Sequence, residues 1–332
     1  PLESVVDITV SKLRFALLKL EQCRVWVMPG FTAADAHGKV VTLGRNGSDY
    51  SAAVLAACLD ASSCAIWTDV DGVYNTDPRV VADAKLLSQL SYQEAMELSY
   101  FGAKVLHPKT IAPIAQYHIP CYIKNSFNPS APGTLVSNDD DKTGLQVKAI
   151  SNLDNQTMFN VSGPGMKGMV GMASRTLAVI SRSGISVSLI TQSSSEYSIS
   201  FCVATSDANK AKWALEQEFE LEIKSELLEP IELRHDLSIV SLIGDGMKTH
   251  KGVAAKFFTA LAKASVNIVA IAQGSSERSI STVIQQKKTK HAIGACHQAF
   301  FDVQQYLDVF LVGSGNVGTG LLEQIKQQGS ML

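Results

Sequence analysis

The chain has 332 residues, a length that suits two to four domains better than a single core. Apolar residues make up 46% and charged residues 18%, which is ordinary for a globular protein and argues against extensive disorder. The net charge is −2 and no basic run is longer than Lys287-Lys288, so composition gives no case for binding nucleic acid. No apolar stretch approaches the ~18 residues of a membrane span, and the opening residues lack the pattern of a signal peptide.

Cysteine and histidine usage points to a protein without a metal site. The six cysteines show no Cys-x-x-Cys spacing, and most lie in apolar runs such as that around Cys58. This favours reduced, buried thiols in a cytosolic protein over disulfides or zinc. The seven histidines are scattered, with no pair at metal-ligand spacing. Because the chain begins with Pro1 instead of Met, we expect it to be a piece of a longer protein.

Residues 1–136 alternate strand-like and helix-like segments. The pattern predicts strands at Val25–Met28 and Cys64–Trp67, and helices over Ser48–Leu59 and Ser91–Phe101. Such alternation is typical of a mostly parallel α/β sheet. Residues 137–150 follow a Pro-Gly pair and contain three consecutive aspartates, so we assign them to a linker.

A glycine loop at residues 43–47 leads directly into the first predicted helix, which we expect Ser48 or Asp49 to cap. Backbone amides freed by Gly44 and Gly47, together with the helix dipole, favour an anion. Arg45 lies within this loop and offers a planar fork that grips a carboxylate or phosphate with two hydrogen bonds. An ordinary capped helix after a turn fits the same local pattern.

Two further candidate ligand-binding segments follow a predicted strand and a predicted helix. Thr68–Tyr74 and then Asp77–Arg79 lie just beyond the carboxyl end of a predicted strand, where open α/β sheets bind ligands. Lys104 lies on the turn after a predicted helix. A surface turn rich in aspartate, and a lysine that offsets a helix dipole, are the alternative interpretations.

The second half of the chain contains an internal repeat. Ile190–Val203 reads ITQSSSEYSISFCV and Ile271–Ile284 reads IAQGSSERSISTVI, an offset of 81 residues (271 − 190). The same offset carries the glycine turn Gly163–Met166 onto Gly244–Met247. Agreement at one period across turn, helix and strand indicates a duplicated folding unit. We predict two ferredoxin-like α+β modules, at residues 151–230 and 236–306, each with the order β-α-β-β followed by a helix.

The last segment, residues 307–332, predicts the start of a Rossmann domain. A strand at Leu307–Val312 is followed by a G-x-G-x-x-G turn and a helix at Thr319–Gln328. That context strengthens a motif that is weak when it stands alone.

Three segments resemble, in sequence and in order, parts of the nucleotide-binding half of an aspartate kinase, of the amino-acid kinase fold. They are the glycine loop at residues 43–47, the aspartate-rich segment at residues 68–79 and the turn that carries Lys104. The resemblance covers residues 24–136. The resemblance implies that Arg45 and Ser48 contact substrate aspartate and that Asp49 organises the active site. It also implies ATP, used with Mg²⁺, and a set of ATP contacts: Thr68, Asp69, Tyr74, Arg79, Lys104 and Val105. The Lys-Phe-Gly-Gly segment that opens aspartate kinases is missing from residues 1–24, so we expect this piece alone to be inactive as a kinase.

The duplicated modules resemble the paired ACT domains that follow such kinases, which implies an amino-acid effector near Gln192 and Gln273. In the alternative interpretation, each glutamine ends a strand and bonds neighbouring backbone. The terminal turn resembles the start of a homoserine dehydrogenase, which implies NAD(P)H contacts at Gly313, Gly315, Asn316, Val317 and Gly318.

The order of the parts resembles the bifunctional aspartokinase/homoserine dehydrogenases of threonine biosynthesis. This implies threonine as effector and a homodimer or homotetramer, with no nucleic-acid or membrane partner. A stand-alone regulatory amino-acid-binding module and a monofunctional aspartate kinase are the alternatives.

Overall fold

The computed structural model describes residues 24–35, 37–44, 46–101, 107–138, 145–166, 169–193, 197–302, 312–313 and 315–328. The chain divides into two compact units, Pro1–Phe300 and Phe301–Leu332. The first part of the larger unit contains the following elements: β1 (Thr32–Ala34), β2 (Val40–Thr42), α1 (Gly47–Cys58), β3 (Cys64–Thr68), β4 (Gln89–Ser91), α2 (Tyr92–Tyr100), α3 (Pro108–Gln116), β5 (Cys121–Asn125) and β6 (Thr134–Ser137).

These elements build a small hairpin and a four-stranded sheet. β1 and β2 pair antiparallel, and the sheet has the order β3-β5-β6-β4. β3 runs parallel to β5 and β4 parallel to β6, but β5 and β6 are antiparallel. Two of the three strand pairs are parallel, as expected of a mostly parallel sheet, and the third is antiparallel. The expected strand at Val25–Met28 is wrong: residues 24–30 form no strand, and Val25 and Val27 are 78% and 93% exposed.

Helix α2 begins with a complete capping box. Ser91 Oγ accepts a hydrogen bond from the backbone N–H of Glu94, and Glu94 Oε2 accepts one from the N–H of Ser91. Two of the amides that a helix start leaves without helical partners are thereby satisfied. Since Glu94 is 1% exposed, burial raises the pKa of its carboxyl.

The repeats follow with the same order of elements. The first consists of β7 (Ala149–Ser162), α4 (Met172–Arg182), β8 (Val187–Gln192), β9 (Ser198–Ala204), α5 (Ala208–Glu218) and the short α6 (Glu220–Lys224). The second consists of β10 (Glu232–Ile243), α7 (Val253–Lys263), β11 (Ile268–Gln273), β12 (Ser279–Gln285) and α8 (Thr289–Phe301). Their strands join in one antiparallel sheet, β11-β12-β10-β7-β9-β8.

The repeats exchange strand segments. The later part of β7 pairs with β9, while its first residues pair with the end of β10, as in Ser151 opposite Ser241. The start of β10 returns to the first repeat, as in Glu232 opposite Asn160. Asn155 and Asp236, also 81 residues apart, both have positive φ where each strand passes from one repeat to the other. Each repeat is therefore completed by a strand from the other, which ties them into one body.

Both ends of the expected linker, residues 137–150, lie in strands. Ser137 is the last residue of β6, and Ala149 and Ile150 already belong to β7. Val147 and Lys148 are buried as well, at 3% and 2% exposure. Most of the described part of residues 137–150 is thus built into the fold.

Among the described residues of the larger unit, two clusters of buried hydrophobic side chains form the core. Phe159 and Phe201 stack in the first, which lies between the first repeat's sheet and its helices. The second is continuous across the chain: Leu189 of the first repeat and Ile239 of the second share it with Leu90 of the four-stranded sheet. Because one core serves all three parts, the repeats and the four-stranded sheet with its helices form a single packed unit.

The smaller unit contains helix α9 (Asn316–Gln328). The expected strand at Leu307–Val312 lies outside the described residues except for Val312. Among the helices that the structure describes, none is long and apolar enough to cross a membrane.

Candidate functional site

The glycine loop before α1 adopts a conformation that only particular residues allow. Gly44 and Asn46 have φ values of 79° and 58°, both in the left-handed region. A side chain at Gly47 would collide with Leu43, whose Cβ lies 2.8 Å from the position a Cβ would take. Helix α1 then begins at Gly47 with Asn46 as N-cap, and no side chain caps it. The expected cap at Ser48 or Asp49 is therefore wrong, because both residues already lie in the first turn.

The expected aspartate-binding residues lie at this helix start. Ser48 Oγ donates a hydrogen bond to Asp49 Oδ1 at 3.2 Å, and Ser48 is exposed. First-turn amides without side-chain caps favour an anion at this end of the helix. Arg45, the expected carboxylate clamp, lies outside the described residues.

A cavity of about 390 Å³ lies beyond the carboxyl end of β3. Four residues expected to contact ATP line it together: Thr68, Asp69, Tyr74 and Arg79. Its volume falls within the range of small-molecule sites. Lys104 and Val105, the other two residues of that group, lie outside the described residues.

One wall of the cavity is Asp69–Arg79, which we call the cavity loop. Val73 is 2% exposed, and its N–H donates to Thr134 Oγ1 at 2.8 Å. At the end of the loop, Asp77 accepts two hydrogen bonds from the Arg79 guanidinium, from Nε at 2.9 Å and from Nη2 at 2.6 Å. These hydrogen bonds raise the pKa of Arg79. The Arg79 guanidinium is therefore a permanent cation at the cavity, and its hydrogen bonds to Asp77 set its orientation.

The opposite wall consists of residues that sequence reasoning missed. Leu98 comes from α2, and Ile150, Ser151 and Asn152 come from the first strand of the repeats. The N–H of Ile150 donates to the carbonyl of Asn75 in the cavity loop at 2.7 Å. Nothing local in the sequence marks these residues, since Ile150 lies in the expected linker. Only the packing of β7 against the loop brings them to the site.

A second cavity, of about 280 Å³, lies in the first repeat. Gln192, at the end of β8, lines it with the glycine turn and the start of α4, including Gly171 and Met172. Gly171 is the N-cap of α4 with φ 94°, and no side chain caps this helix. Its first amides are therefore available to an anion beside an amide side chain.

The second repeat has the same arrangement 81 residues further on. Gln273 ends β11, and Gly252 is the uncapped N-cap of α7 with φ 85°. The structure thus places Gln192 and Gln273 at equivalent strand ends, each in an exposed position. In the smaller unit, Gly313 has φ 102°, and Asn316, Val317 and Gly318 lie in the first turn of α9 after Gly315.

The second repeat also contacts the capping box of α2. Asp245 Oδ2 accepts a hydrogen bond from Ser91 Oγ at 2.6 Å, and the N–H of Asp245 donates to Glu94 Oε1 at 2.8 Å. Arg278 Nε donates to Asp245 Oδ1 at 2.6 Å. Burial would raise the pKa of Asp245, but the bonds from Ser91 and Arg278 outweigh it and lower the pKa. The first repeat has Pro164 and Tyr197 at the two equivalent positions.

Two family profiles match the chain. Residues 3–125 match the amino acid kinase family, and residues 159–219 and 240–300 each match an ACT domain. The larger unit therefore combines part of an amino-acid kinase fold with a tandem pair of ACT domains.

Individual proteins agree with this class. The chain is 61% identical over 327 residues to a bifunctional aspartokinase/homoserine dehydrogenase of Haemophilus influenzae, covering 98% of this chain and 40% of that protein. It is 36% identical over 290 residues to an aspartokinase of Pseudomonas aeruginosa, covering 85% of this chain and 68% of that protein. The chain belongs to the aspartokinase family. It spans about 40% of the length of its bifunctional relative.

A solved structure shares the arrangement. Aspartokinase III of E. coli, in complex with aspartate and ADP, superimposes with a TM-score of 0.71 at 34% identity, over 82% of this chain and 60% of that one. Its complex with lysine and aspartate gives a TM-score of 0.65 at the same identity, over 82% and 59%.

Proposed function

We propose that this chain forms the ATP-side half of an aspartate kinase, which transfers the γ-phosphoryl group of ATP to the side-chain carboxylate of L-aspartate. The products are ADP and 4-phospho-L-aspartate. The observation that carries the proposal is the cavity in which Thr68, Asp69, Tyr74 and Arg79 meet. The E. coli relative solved with aspartate and ADP supports the same substrates.

The residues of the cavity suit a nucleotide. Val70, Tyr74 and Pro78 line the cavity with partly or fully exposed apolar surface for a base, while Arg79 offers a cation for phosphate oxygens. Mg²⁺ binds through one or two carboxylates together with substrate phosphates, and Asp69 is an exposed carboxylate at this cavity. When bound, the metal would neutralise charge on the transferred phosphate.

The proposed reaction requires no general base from the protein. The side-chain carboxyl of aspartate has an ordinary pKa of ~3.9 and is therefore already ionised at neutral pH. Positioning and charge stabilisation supply most of the catalysis in phosphoryl transfer. In this proposal Arg45 and Ser48 hold aspartate, Asp49 orients Ser48, and Lys104 and Val105 complete the ATP site.

The regulatory ligand proposed for the repeats is threonine. The uncapped start of α4 suits its carboxylate, and Gln192 supplies both a carbonyl and an NH₂ for its ammonium and hydroxyl groups. Gln273 and the start of α7 offer the same groups. Since the E. coli relative was solved with lysine, the two amino acids must be compared directly.

The whole protein is proposed to be bifunctional, as its Haemophilus relative is. Its second activity would be the NAD(P)H-dependent reduction of aspartate semialdehyde to homoserine, with Gly313, Gly315, Asn316, Val317 and Gly318 at the cofactor turn. The edge strands β8 and β11 of the repeats favour a two-fold dimer or a tetramer built from it.

Calorimetric titration of the chain with MgADP tests the nucleotide site. We expect binding in the wild type and at least about tenfold weaker binding in Arg79→Ala, because the cation at the cavity is lost. Arg234→Ala is the matched control, since Arg234 is also exposed and is paired with a carboxylate two residues earlier.

Two further measurements separate the proposed function from a regulatory amino-acid-binding module. Kinase assays on the full-length protein should show a raised KM for ATP in Arg79→Ala and not in Arg234→Ala. Titration of the chain with threonine and with lysine should show tighter binding of threonine. Threonine binding combined with a full-length protein that forms no phosphoaspartate would favour a regulatory amino-acid-binding module instead.

A further inference from the structure

Asn75 is the anchor of the cavity loop. It is 1% exposed and lies between Tyr74 and Thr76, both of which line the cavity. Its N–H donates to the carbonyl of Lys85 at 2.9 Å, and its side-chain Oδ1 accepts from the N–H of Lys85 at 2.8 Å. Its own carbonyl accepts from Ile150 at 2.7 Å. The position of the cavity wall therefore depends on where Asn75 is held.

The remaining polar atom of Asn75 reaches the second repeat. Because Oδ1 accepts from a backbone N–H, the amide orientation is fixed and Nδ2 points to Nε2 of His297 at 3.2 Å. An amide nitrogen only donates, so Nε2 is the acceptor in this contact. His297 lies on α8 and is 3% exposed. A buried contact thus joins residues 222 positions apart in sequence.

The internal repeat shows that His297 is not needed to build the module. The equivalent position 81 residues earlier is Glu216, which lies on α5 with its side chain 45% exposed. Within the part of the chain that the structure describes, Glu216 makes a surface ion pair with Lys212, at 3.7 Å. The same fold therefore accepts a solvated carboxylate at this position. His297, in contrast, is buried and contacts the cavity loop.

We propose that Asn75 and His297 are positioning residues for the nucleotide site, so that the second repeat holds the cavity loop in its binding conformation. The inference rests on the proposed function in one respect, namely that the cavity takes a nucleotide. It goes beyond that function by giving α8 of the second repeat a structural part in ATP binding. Loss of the contact reduces the fraction of chains with the loop in place, and the apparent affinity falls by the same factor.

The test uses the whole chain and two readouts. Hydrogen exchange measures the amides of the cavity loop without any ligand, and calorimetry measures the Kd for MgADP. His297→Phe keeps the ring volume but removes the acceptor, leaving Asn75 Nδ2 unpaired in the interior. His297→Gln restores an acceptor through Oε1. Glu216→Phe is the matched control at the equivalent position of the first repeat, and His297→Leu is the second variant if the Phe variant misfolds.

We expect His297→Phe to speed exchange in the cavity loop about tenfold and to weaken MgADP binding by a similar factor. His297→Gln should return both values to within about twofold of wild type, and Glu216→Phe should change neither. Wild-type loop exchange in both apolar variants would overturn the proposal, as would equal acceleration throughout the second repeat or no rescue by Gln. A wild type that fails to bind MgADP would refute the proposed function, while the exchange experiment would still decide whether His297 positions the loop.

Discussion

Replacing Asp245 with alanine tests how much the contact between the second repeat and α2 contributes to the free energy of unfolding. The substitution removes the bond from Ser91 Oγ and the bond from Arg278 Nε, both 2.6 Å long. A hydrogen bond to a charged group contributes about 1.5–3 kcal/mol when buried, and an exposed ion pair about 0–1. Since the side chains of Asp245 and Arg278 are 34% and 29% exposed, we place the total between these limits, at about 2 kcal/mol.

Thermal unfolding of the two proteins at pH 7 is the assay. A loss of this size corresponds to about 4–8 °C in a domain of 150–250 residues and to somewhat less in a longer chain. Glu232→Ala is the control: it breaks the exposed pair with Arg234, whose side chains are 52% and 59% exposed, and should lower stability by less than about 1 kcal/mol. Equal shifts in the two variants would refute the reasoning.

The pH dependence gives a second check on Asp245. Its pKa in the folded chain is lowered from an ordinary 3.8, so the stability it contributes is present above pH 3.8 and is lost as the pH falls through the lowered value. The difference between wild type and Asp245→Ala should therefore be full at pH 7 and should shrink below pH 3.8. A difference that grows on acidification would contradict this assignment.

Gly246→Ala should lower the free energy of unfolding, measured in urea, by about 1–3 kcal/mol, because the added Cβ collides with the backbone carbonyl of Leu145. The control is Gly294→Ala, which lies in a helix with open space around it and should be neutral or stabilise by up to about 1 kcal/mol. Gln192→Ala should weaken threonine binding in calorimetry while leaving MgADP binding unchanged; unchanged threonine affinity would remove Gln192 from the effector site. Burial raises the pKa of Cys202 and Cys296 to about 12, so neither thiol should react with iodoacetamide at pH 8 until the chain unfolds, and stability should fall as the pH rises above 9.0.

Local patterns predicted helices α1 and α2 well but gave no sign of α3. The helix expected over Ser48–Leu59 is found at Gly47–Cys58, and the one expected over Ser91–Phe101 at Tyr92–Tyr100. The repeat identified the paired modules because both copies retain the same turn, helix and strand. The strand expected at Val25–Met28 is wrong because an apolar run forms a strand only beside a partner, and within the described residues this one has none.

Features that depend on pairing between distant residues were not predictable. The exchange of β7 and β10 leaves no local mark, so the modules were expected to begin at residue 151, although β7 begins at Ala149. The same limit applies to the site. The motifs predicted Thr68, Asp69, Tyr74 and Arg79, which share the cavity, but gave no sign of Ile150 or His297.

A crystal structure of the chain grown with MgADP tests the central claim most directly. The account predicts the nucleotide in the cavity between the cavity loop and the start of β7, with Tyr74 and Ile150 against it and Arg79 close to a phosphate. A nucleotide bound elsewhere on the chain, or a cavity that remains empty at saturating MgADP, would contradict it.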